Sequence, residues 1–321
     1  MKPEDILNIL GADLEAVKDL VRSRLSSSVP LLQEVNGSIL EHGGKLMRPS
    51  LCLLMARACG NPTDDTLRYA AAVELMHNSS LLHDDVADAS MMRRGVPTVM
   101  SLHGPVPAVL VGDFWLARTV DTILGSVHHD WAVPAFSKTL GDLAEGEMLQ
   151  QQKAFSCDTT EDDYRQIIYC KTASLFELSC AAAAMSVDAA PELFEAAKSY
   201  GRAVGMAFQI RDDIMDYEGG DIGKPSGHDL MERKITLPLL GALRSSDAAA
   251  AVREMVRSIP EHPENAAAVV ALVREKGGLE YARKALHGYI DEAIAALDVL
   301  PPSETKDLLA EFGHFNETRN K

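Results

Sequence analysis

Helical periodicity dominates the hydrophobic pattern of this chain. Segments such as "DILNILGADLEAVKDLVRSRL" and "ALHGYIDEAIAALDVL" place apolar residues three and four positions apart, whereas sustained alternation of apolar and polar residues is nearly absent. Glycine and proline in "HGGK", "GNP", "GVP" and "HGPVP" separate the helical stretches. No linker rich in serine, glycine and proline divides the chain. The pattern therefore predicts one all-α domain over residues 1–321.

The composition excludes several classes of protein. At 321 residues and 46% hydrophobic, the chain can bury a large core, and its net charge of −16 argues against nucleic acid as a partner. Because no run of about 18 uncharged apolar residues occurs, and the N-terminal stretch carries acids, we expect no signal peptide, no membrane anchor and a cytoplasmic location. Five cysteines without a C-x-x-C pair predict reduced thiols.

The pattern Asp-Asp-x-x-Asp occurs twice, in "LLHDDVADASMMRRG" and in "FQIRDDIMDYEGG". On a helix, residues four apart lie on one face, so Asp84 projects with Asp88 and Asp212 with Asp216. Three like charges in little more than one turn repel, and in a cleft they would raise the pKa of at least one carboxyl unless a cation were present. Carboxylate ligands favour a hard cation such as Mg²⁺, which completes its shell with water and substrate phosphates.

Basic residues accompany both acidic clusters. Arg93 and Arg94 follow the first cluster, Lys224 and Lys234 flank the loop after the second cluster, and "GGKLMRP" supplies two further cations. Guanidinium and ammonium groups bind phosphate oxygens directly. One acidic residue with one basic residue near it is most simply explained as a surface salt bridge. Two acidic clusters with basic residues near each of them favour a polyphosphate site. His83, beside Asp84, is interpreted as a structural hydrogen-bonding residue.

The ordered motifs resemble those of the trans-isoprenyl diphosphate synthases, also called polyprenyl synthetases. These motifs are "GGKLMRP", "LLHDDVADASMMRRGVPT", "VGDFWLAR", "KTASLFE", "FQIRDDIMDY" and "GKPSGHDLMERKITLPLL", in collinear order between residues 35 and 320. The resemblance implies a helical bundle of the isoprenoid synthase type around a deep central cavity, normally as a homodimer.

The same resemblance assigns roles to the motif residues. Five aspartates would hold the Mg²⁺ ions on the allylic diphosphate, namely Asp84, Asp85, Asp88, Asp212 and Asp216, and Asp213 would support these aspartates. The closed substrate complex would contain three Mg²⁺ ions. The allylic diphosphate itself would be bound by Arg93, Lys171, Thr172, Gln209, Lys224 and Lys234. Isopentenyl diphosphate would be bound by Lys45, Arg48, His77 and Arg94. The catalytic candidates are Asp84, Asp88, Arg93, Lys171, Asp212 and Lys224.

The implied reaction is a head-to-tail prenyl transfer. Mg²⁺ and cationic side chains would stabilise the departing diphosphate, and the double bond of isopentenyl diphosphate would attack the allylic cation. The growing tail would pass Ser80 and Ser79, roughly 6 to 8 Å deeper along the helix than Asp84 at about 1.5 Å per residue. Because two serines leave open a path that short-chain members close with an aromatic residue, we expect an all-trans product of C35 to C50, centred on octaprenyl.

Other functions stay open at this stage. A short-chain farnesyl or geranylgeranyl diphosphate synthase would differ only in product length. A terpene cyclase would not need the basic pocket at Lys45, Arg48 and Arg94. A non-catalytic regulatory subunit typically lacks acids that are present here, and a helical ion-binding protein would bind the cation without diphosphate.

Three positions depart from the family pattern. Leu46 stands where a basic residue is frequent, Arg211 where an apolar residue is common, and Arg233 where glycine is usual. We expect the arginines to pair with carboxylates and the change at Leu46 to alter affinity while activity is retained.

Overall fold

The structure is a computed structural model that describes residues 3–219, 227–244 and 249–318. The prediction of an all-α fold is confirmed. In chain order the helices are α1 (Pro3–Arg24), α2 (Pro30–Glu41), α3 (Met47–Cys59), α4 (Asp64–Ala87), α5 (Val99–His103), α6 (Pro105–Leu124), α7 (His129–Ser156), α8 (Glu161–Ile168), α9 (Ser174–Ser186), α10 (Pro191–Glu218), α11 (His228–Met231), α12 (Leu237–Arg244), α13 (Ala249–Arg257), α14 (Glu264–Glu275), α15 (Gly278–Ala296) and α16 (Glu304–Thr318).

A small β-hairpin follows α4. Strands β1 (Met92–Arg93) and β2 (Val96–Pro97) pair antiparallel. The two turn residues, Arg94 and Gly95, have φ values of 52° and 82°. Two positive φ values are the pattern of a type I′ turn, whose twist matches that of the paired strands. The two arginines after the first acidic cluster are therefore held by a tight turn.

The chain forms two compact units. The first comprises Met1–Leu140, Leu178–Lys198 and Val299–Leu309, and the second comprises Gly141–Glu177, Ser199–Asp298 and Ala310–Lys321. The first acidic motif belongs to the first unit and the second motif to the second unit. The expectation of a single domain with a deep central cavity stays a prediction.

Helix α4 is anchored in the first unit by a buried polar network at its N-terminal end. Thr63 and Thr66 form a capping box there. The Tyr69 and Ser126 hydroxyls lie 2.6 Å apart, and the Ser126 hydroxyl donates to Asp65 Oδ2, also at 2.6 Å. Asp65, Thr66, Tyr69 and Ser126 are buried, and their polar groups are satisfied, which fixes the helix that carries the first motif.

Helix α10 contributes a core-facing stripe to the second unit. Ile210, Ile214 and Tyr217 are at most 1% exposed and recur at spacings of four and three. Asp212 and Asp216 lie off this stripe and are only partly buried. The apolar periodicity thus determines which way the second acidic motif points.

Among the residues that the structure describes, one helical stretch, Glu161–Ser186, is long and apolar enough to cross a membrane by length and composition. However, 83% of the apolar 18-residue segment within this stretch is buried inside the protein, as in the core helix of a soluble protein. The five cysteines are free thiols, which confirms the prediction made from their spacing.

Candidate active site

The first acidic motif lies at the C-terminal end of α4. The helix ends at Ala87, and Asp88 is its C-cap residue, whose N–H donates to the Asp84 carbonyl at 2.8 Å. Asp85 is buried, and its Oδ1 accepts from Arg93 Nε at 2.7 Å. Burial raises the pKa of Asp85, and Arg93 opposes that shift. Arg93, predicted to bind diphosphate, is thus held by a carboxylate of the motif.

The glycine motif and the hairpin meet in the first unit. A Cβ on Gly44 would lie 2.7 Å from Nη1 and 2.9 Å from Nη2 of Arg94. Gly44 therefore makes room for a guanidinium group. Lys45, the next residue, is exposed in the loop before α3.

His77 lies in a strongly cationic environment on α4. Burial lowers the pKa of His77 well below its usual value, and the charges of Arg48 and Arg94 lower it further. One turn earlier, Glu74 is buried, and its Oε1 accepts from Asn78 Nδ2 at 2.9 Å. Burial raises the pKa of Glu74 while Asn78 and the two arginines oppose the shift. The structure thus groups three predicted isopentenyl diphosphate residues with a carboxylate that sequence reasoning missed.

Ser79 and His83 pack on α6 at the same glycine. Ser79 is fully buried and its hydroxyl donates to the Gly112 carbonyl at 2.8 Å. A Cβ on Gly112 would lie 2.3 Å from His83 Nε2, which is 3.3 Å from Asp113 Oδ1. His83 Nε2 also lies 3.4 Å from the Val109 carbonyl oxygen, which supports its interpretation as a structural hydrogen-bonding residue. Ser80 is half-buried and bonds back to a carbonyl of its own helix.

A hydrogen-bonded chain runs through the second acidic motif. Asp213 is buried and accepts from the Tyr164 hydroxyl at 2.6 Å and from Gln209 Nε2 at 2.9 Å. The Oε1 of Gln209 accepts from the Thr172 hydroxyl at 2.7 Å. Burial, followed by the charge of Asp229, raises the pKa of Asp213 well above its usual value. Donor and acceptor ends of Gln209 are therefore both committed, which fixes its orientation.

Asp216 joins the end of α10 to α11. Its Oδ1 and Oδ2 accept from the backbone N–H groups of His228 at 3.0 Å and Asp229 at 3.2 Å. Burial raises the pKa of Asp216, although these two N–H donors oppose that shift. Burial and the charge of Asp216 raise the pKa of Asp229 to about 6. Each carboxylate oxygen keeps a further lone pair for a cation. These crowded carboxylates fit a hard divalent ion, which would relieve their repulsion.

Sequence reasoning missed the residues that follow the second motif. Ligand atoms of His228, Asp229 and Glu232 lie within 4.8 Å of one another. No periodic signal marks them in "GHDLMERK", and only their approach to Asp216 in space reveals them. Glu232 also pairs with Lys234.

Lys171 and Thr172 lie in a π-helical segment, Tyr169–Ala173, between α8 and α9. Such π segments are rare and occur frequently at functional sites. Two glycines make room for it. A Cβ on Gly146 of α7 would lie 2.9 Å from Lys171 Cγ, and one on Gly205 of α10 would lie 2.5 Å from the Ala173 Cα.

A cavity in the second unit collects most of its predicted diphosphate ligands. Its volume is about 160 Å³, and its lining includes Lys171, Gln209, Asp213 and Lys234. The Lys171 ammonium donates to Glu147 of α7, another residue that the sequence analysis missed. Lys224, predicted to belong to this set, lies outside the described residues.

The departures from the family pattern have structural counterparts. Arg211 is buried, and its Nη1 lies 3.1 Å from Glu218 Oε2; Glu218 Oε1 lies 2.7 Å from Arg283 Nη2. Carboxylate pairing is thus confirmed for Arg211. Arg233 has φ of 57° and Leu46 has φ of 52°, so both occupy the left-handed region. The usual glycine at position 233 is explained by this backbone conformation.

Comparisons with known proteins identify the family of this chain. The family described as polyprenyl synthetase matches residues 29–273. The chain is 39% identical, over 95% of its length and 94% of the relative's, to the all-trans-nonaprenyl-diphosphate synthase (geranyl-diphosphate specific) of Rhodobacter capsulatus. It is 35% identical to the octaprenyl diphosphate synthase of Escherichia coli over 100% of both chains.

The same similarity is found among solved structures. A polyprenyl synthase from Caulobacter crescentus, complexed with calcium and isoprenyl diphosphate, matches with a TM-score of 0.91 at 32% identity. The match covers 100% of this chain and 98% of that one. The chain therefore belongs to the polyprenyl synthetase family of prenyltransferases.

Proposed function

We propose that this prenyltransferase is a Mg²⁺-dependent trans-polyprenyl diphosphate synthase. It would condense an allylic diphosphate with isopentenyl diphosphate repeatedly, to a product of C35 to C50, with octaprenyl diphosphate expected. One observation carries the proposal: both aspartate motifs are complete, and each has a cation in its own unit. Arg93 donates to Asp85, and Lys171 lines the same cavity as Asp213. The octaprenyl and nonaprenyl synthases among the relatives support the long product.

The carboxylates would hold the metal. In this proposal the closed substrate complex contains three Mg²⁺ ions. Their ligands are Asp84, Asp85, Asp88, Asp212 and Asp216. Bound Mg²⁺ would offset the negative charge that develops on the departing diphosphate. The hydrogen bonds of Asp213 to Tyr164 and Gln209 support its assignment as a residue that positions the motif.

Cationic side chains of the protein would bind the two diphosphates directly. The allylic diphosphate is assigned to Arg93, Lys171, Thr172, Gln209, Lys224 and Lys234, and isopentenyl diphosphate to Lys45, Arg48, His77 and Arg94. Preorganised donors of this kind stabilise a leaving group without reorganisation at the moment of reaction. His77 would act as a neutral hydrogen-bonding group, because its environment lowers its pKa.

An exposed apolar stripe along α6 supports a homodimer. Val106, Leu110, Val120 and Leu124 recur on one face of the helix and are 68%, 61%, 47% and 53% exposed. The exposed Asp113 and Ala117 lie between Leu110 and Val120 on this face, and exposed apolar residues that cluster on one helix face are typical of a protein interface. Light scattering is expected to give the mass of two chains, and Leu110→Glu to give that of one. A monomeric wild-type protein would contradict the homodimer.

The proposed enzyme acts in the cytoplasm without a membrane anchor. The burial of the long apolar helical stretch Glu161–Ser186 supports this location. The net charge of −16 speaks against nucleic acid as a partner.

A product-length assay tests the function. Purified protein is incubated with Mg²⁺, farnesyl diphosphate and radiolabelled isopentenyl diphosphate, and the products are separated by length. A dominant product of C35 or longer is expected. Extension only to C20 would indicate a short-chain synthase, whereas no extension would overturn the proposal in favour of a cyclase or a regulatory subunit. Asp84→Ala is expected to lower turnover by orders of magnitude without unfolding the protein.

A further inference from the structure

Glu147 is engaged on both carboxylate oxygens by side chains of the second unit. Its Oε2 accepts from the Lys171 ammonium, and its Oε1 accepts from Gln151 Nε2 at 2.9 Å. The side chains of Lys171 and Glu147 are only 23% and 18% exposed. Burial alone would raise the pKa of Glu147, but Lys171 with Gln151 and Lys234 lowers it below the usual range. Glu147 is therefore an ionised and largely water-shielded partner of Lys171.

The same turn of α7 also fixes the backbone of Lys171. A Cβ on Gly146 would lie 2.9 Å from Lys171 Cγ and 3.1 Å from its backbone nitrogen. The π segment thus rests on Gly146, and the next residue of α7 receives the ammonium. Lys171 is consequently held at two points, near the start of its side chain and at its end.

We propose that Glu147 is a positioning residue for the prenyl transfer: it holds the Lys171 ammonium in the orientation in which that group meets the departing diphosphate. The inference rests on the proposed function, which assigns Lys171 to the allylic diphosphate. Glu147 carries a negative charge, so it repels diphosphate and acts only through Lys171.

The physical reason is the flexibility of lysine. Its four-carbon stem adopts many rotamers, and much of that conformational entropy is lost when the ammonium is fixed. A partner that orders the stem beforehand removes this cost from the catalytic step. Lys171 lines the same cavity as Gln209 and Lys234, so an ordered ammonium is presented beside two other proposed diphosphate ligands of this unit.

The test compares Glu147→Gln with Glu145→Gln. Glu145 is exposed on the same helix two residues earlier, so this control removes the same charge without touching Lys171. Glu147→Gln is expected to lower kcat by about ten- to a hundredfold and to leave KM for isopentenyl diphosphate unchanged. Glu145→Gln is expected to match the wild type.

A double-mutant cycle shows whether Glu147 acts through Lys171. Lys171→Met with Glu147→Gln is expected to be no slower than Lys171→Met alone, because the carboxylate then has no ammonium to position. Additive losses, or equal activity of the Glu147 and Glu145 variants, would overturn the inference. If Glu147→Gln fails to fold, Gln151→Leu removes the closer of the two donors to Oε1, the other being Gln150 Nε2 at 3.4 Å, and is expected to give a smaller loss of kcat; full activity of that variant would then count against the inference.

Calorimetric binding of inorganic diphosphate with Mg²⁺ separates this inference from the proposed function. Glu147→Gln is expected to weaken that binding several-fold relative to Glu145→Gln. If the wild type extends no allylic diphosphate, the proposed function fails, while the calorimetric comparison still decides about Glu147. If the wild type extends its substrate and both variants bind alike and turn over alike, only the inference about Glu147 fails.

Discussion

The guanidinium group of Arg94 lies directly against the Cα of Gly44, so that a Cβ there would be 2.7 Å from Nη1 and 3.1 Å from Cζ. Arg94 occupies the turn of the hairpin, and Gly44 precedes α3. Their contact joins two segments that are both assigned to isopentenyl diphosphate. Glycine at position 44 therefore determines where a proposed substrate-binding guanidinium can lie.

Gly44→Ala is expected to raise KM for isopentenyl diphosphate by about tenfold, because a displaced bidentate donor loses part of a charge-assisted contact. The arginine end can move, so the fold is expected to survive. Gly43→Ala is the matched control, since a Cβ there would meet only the Leu40 carbonyl at 3.3 Å. Steady-state kinetics with varied isopentenyl diphosphate measures the effect. Equal KM values for the two variants would contradict the proposed role of this contact.

Arg233→Gly is expected to stabilise the protein by up to about 1 kcal/mol, because a residue with a Cβ is strained in the left-handed region that Arg233 occupies. The greater freedom of glycine in the unfolded chain offsets part of that gain. The expected rise in Tm is about 1 to 3 °C. Arg233→Ala removes the same charge but keeps the Cβ, so it should show no rise. A lower Tm for Arg233→Gly would show that the arginine side chain stabilises more than its backbone strain costs.

His77 is expected to make stability depend on pH. Its folded pKa is lowered by burial and by the neighbouring arginines, whereas the unfolded value is about 6.5. Below about pH 6.5 the unfolded state therefore binds more protons, and stability falls as pH falls, by at most about 1.4 kcal/mol per pH unit. Urea unfolding between pH 7 and pH 5 measures this slope.

The matched variants for this slope are His77→Gln and His262→Gln. His77→Gln should flatten the dependence, while His262→Gln, which alters an exposed imidazole, should not. The same slope in the wild type and in His77→Gln would mean that other groups cause the pH dependence.

Sequence patterns predicted the helices and acidic motifs because both depend on short spacings. The stripe of Ile210, Ile214 and Tyr217 is a local periodicity, and it also orients Asp212 and Asp216. The sequence could predict that Arg211 pairs with a carboxylate, because a buried guanidinium requires acceptors. Its partner Glu218 lies seven residues away, nearly two turns along the same helix.

The remaining features depend on contacts between distant segments. Glu147 and Lys171 are 24 positions apart, and the π segment is too short to leave a periodic signal of its own. Tyr164 reaches Asp213 over 49 positions. The hairpin was missed although Arg94-Gly95 is a recognisable two-residue turn, because its strands contain only two residues each.

Phenylalanine at position 79 or 80 is expected to shorten the product. Ser79 lies five residues before Asp84, roughly 7 Å deeper along α4, and it is buried against α6 at Gly112. Ser80 points about 100° further around the helix and is half-buried. An aromatic ring on the face that the growing chain follows would stop elongation, whereas a ring on the other face would leave the length unchanged. Product chromatography of Ser79→Phe and Ser80→Phe identifies that face.

Ser79→Phe carries a second expected effect, because added volume in a packed helix contact costs about 1 to 3 kcal/mol. Its Tm should therefore fall more than that of Ser80→Phe, which has room at the half-buried position. A shortened product from a variant that retains its thermal stability would separate a blocked path from a distorted fold. If neither variant shortens the product, the two serines do not bound the path of the chain, and the expected long product must depend on residues deeper than Ser79.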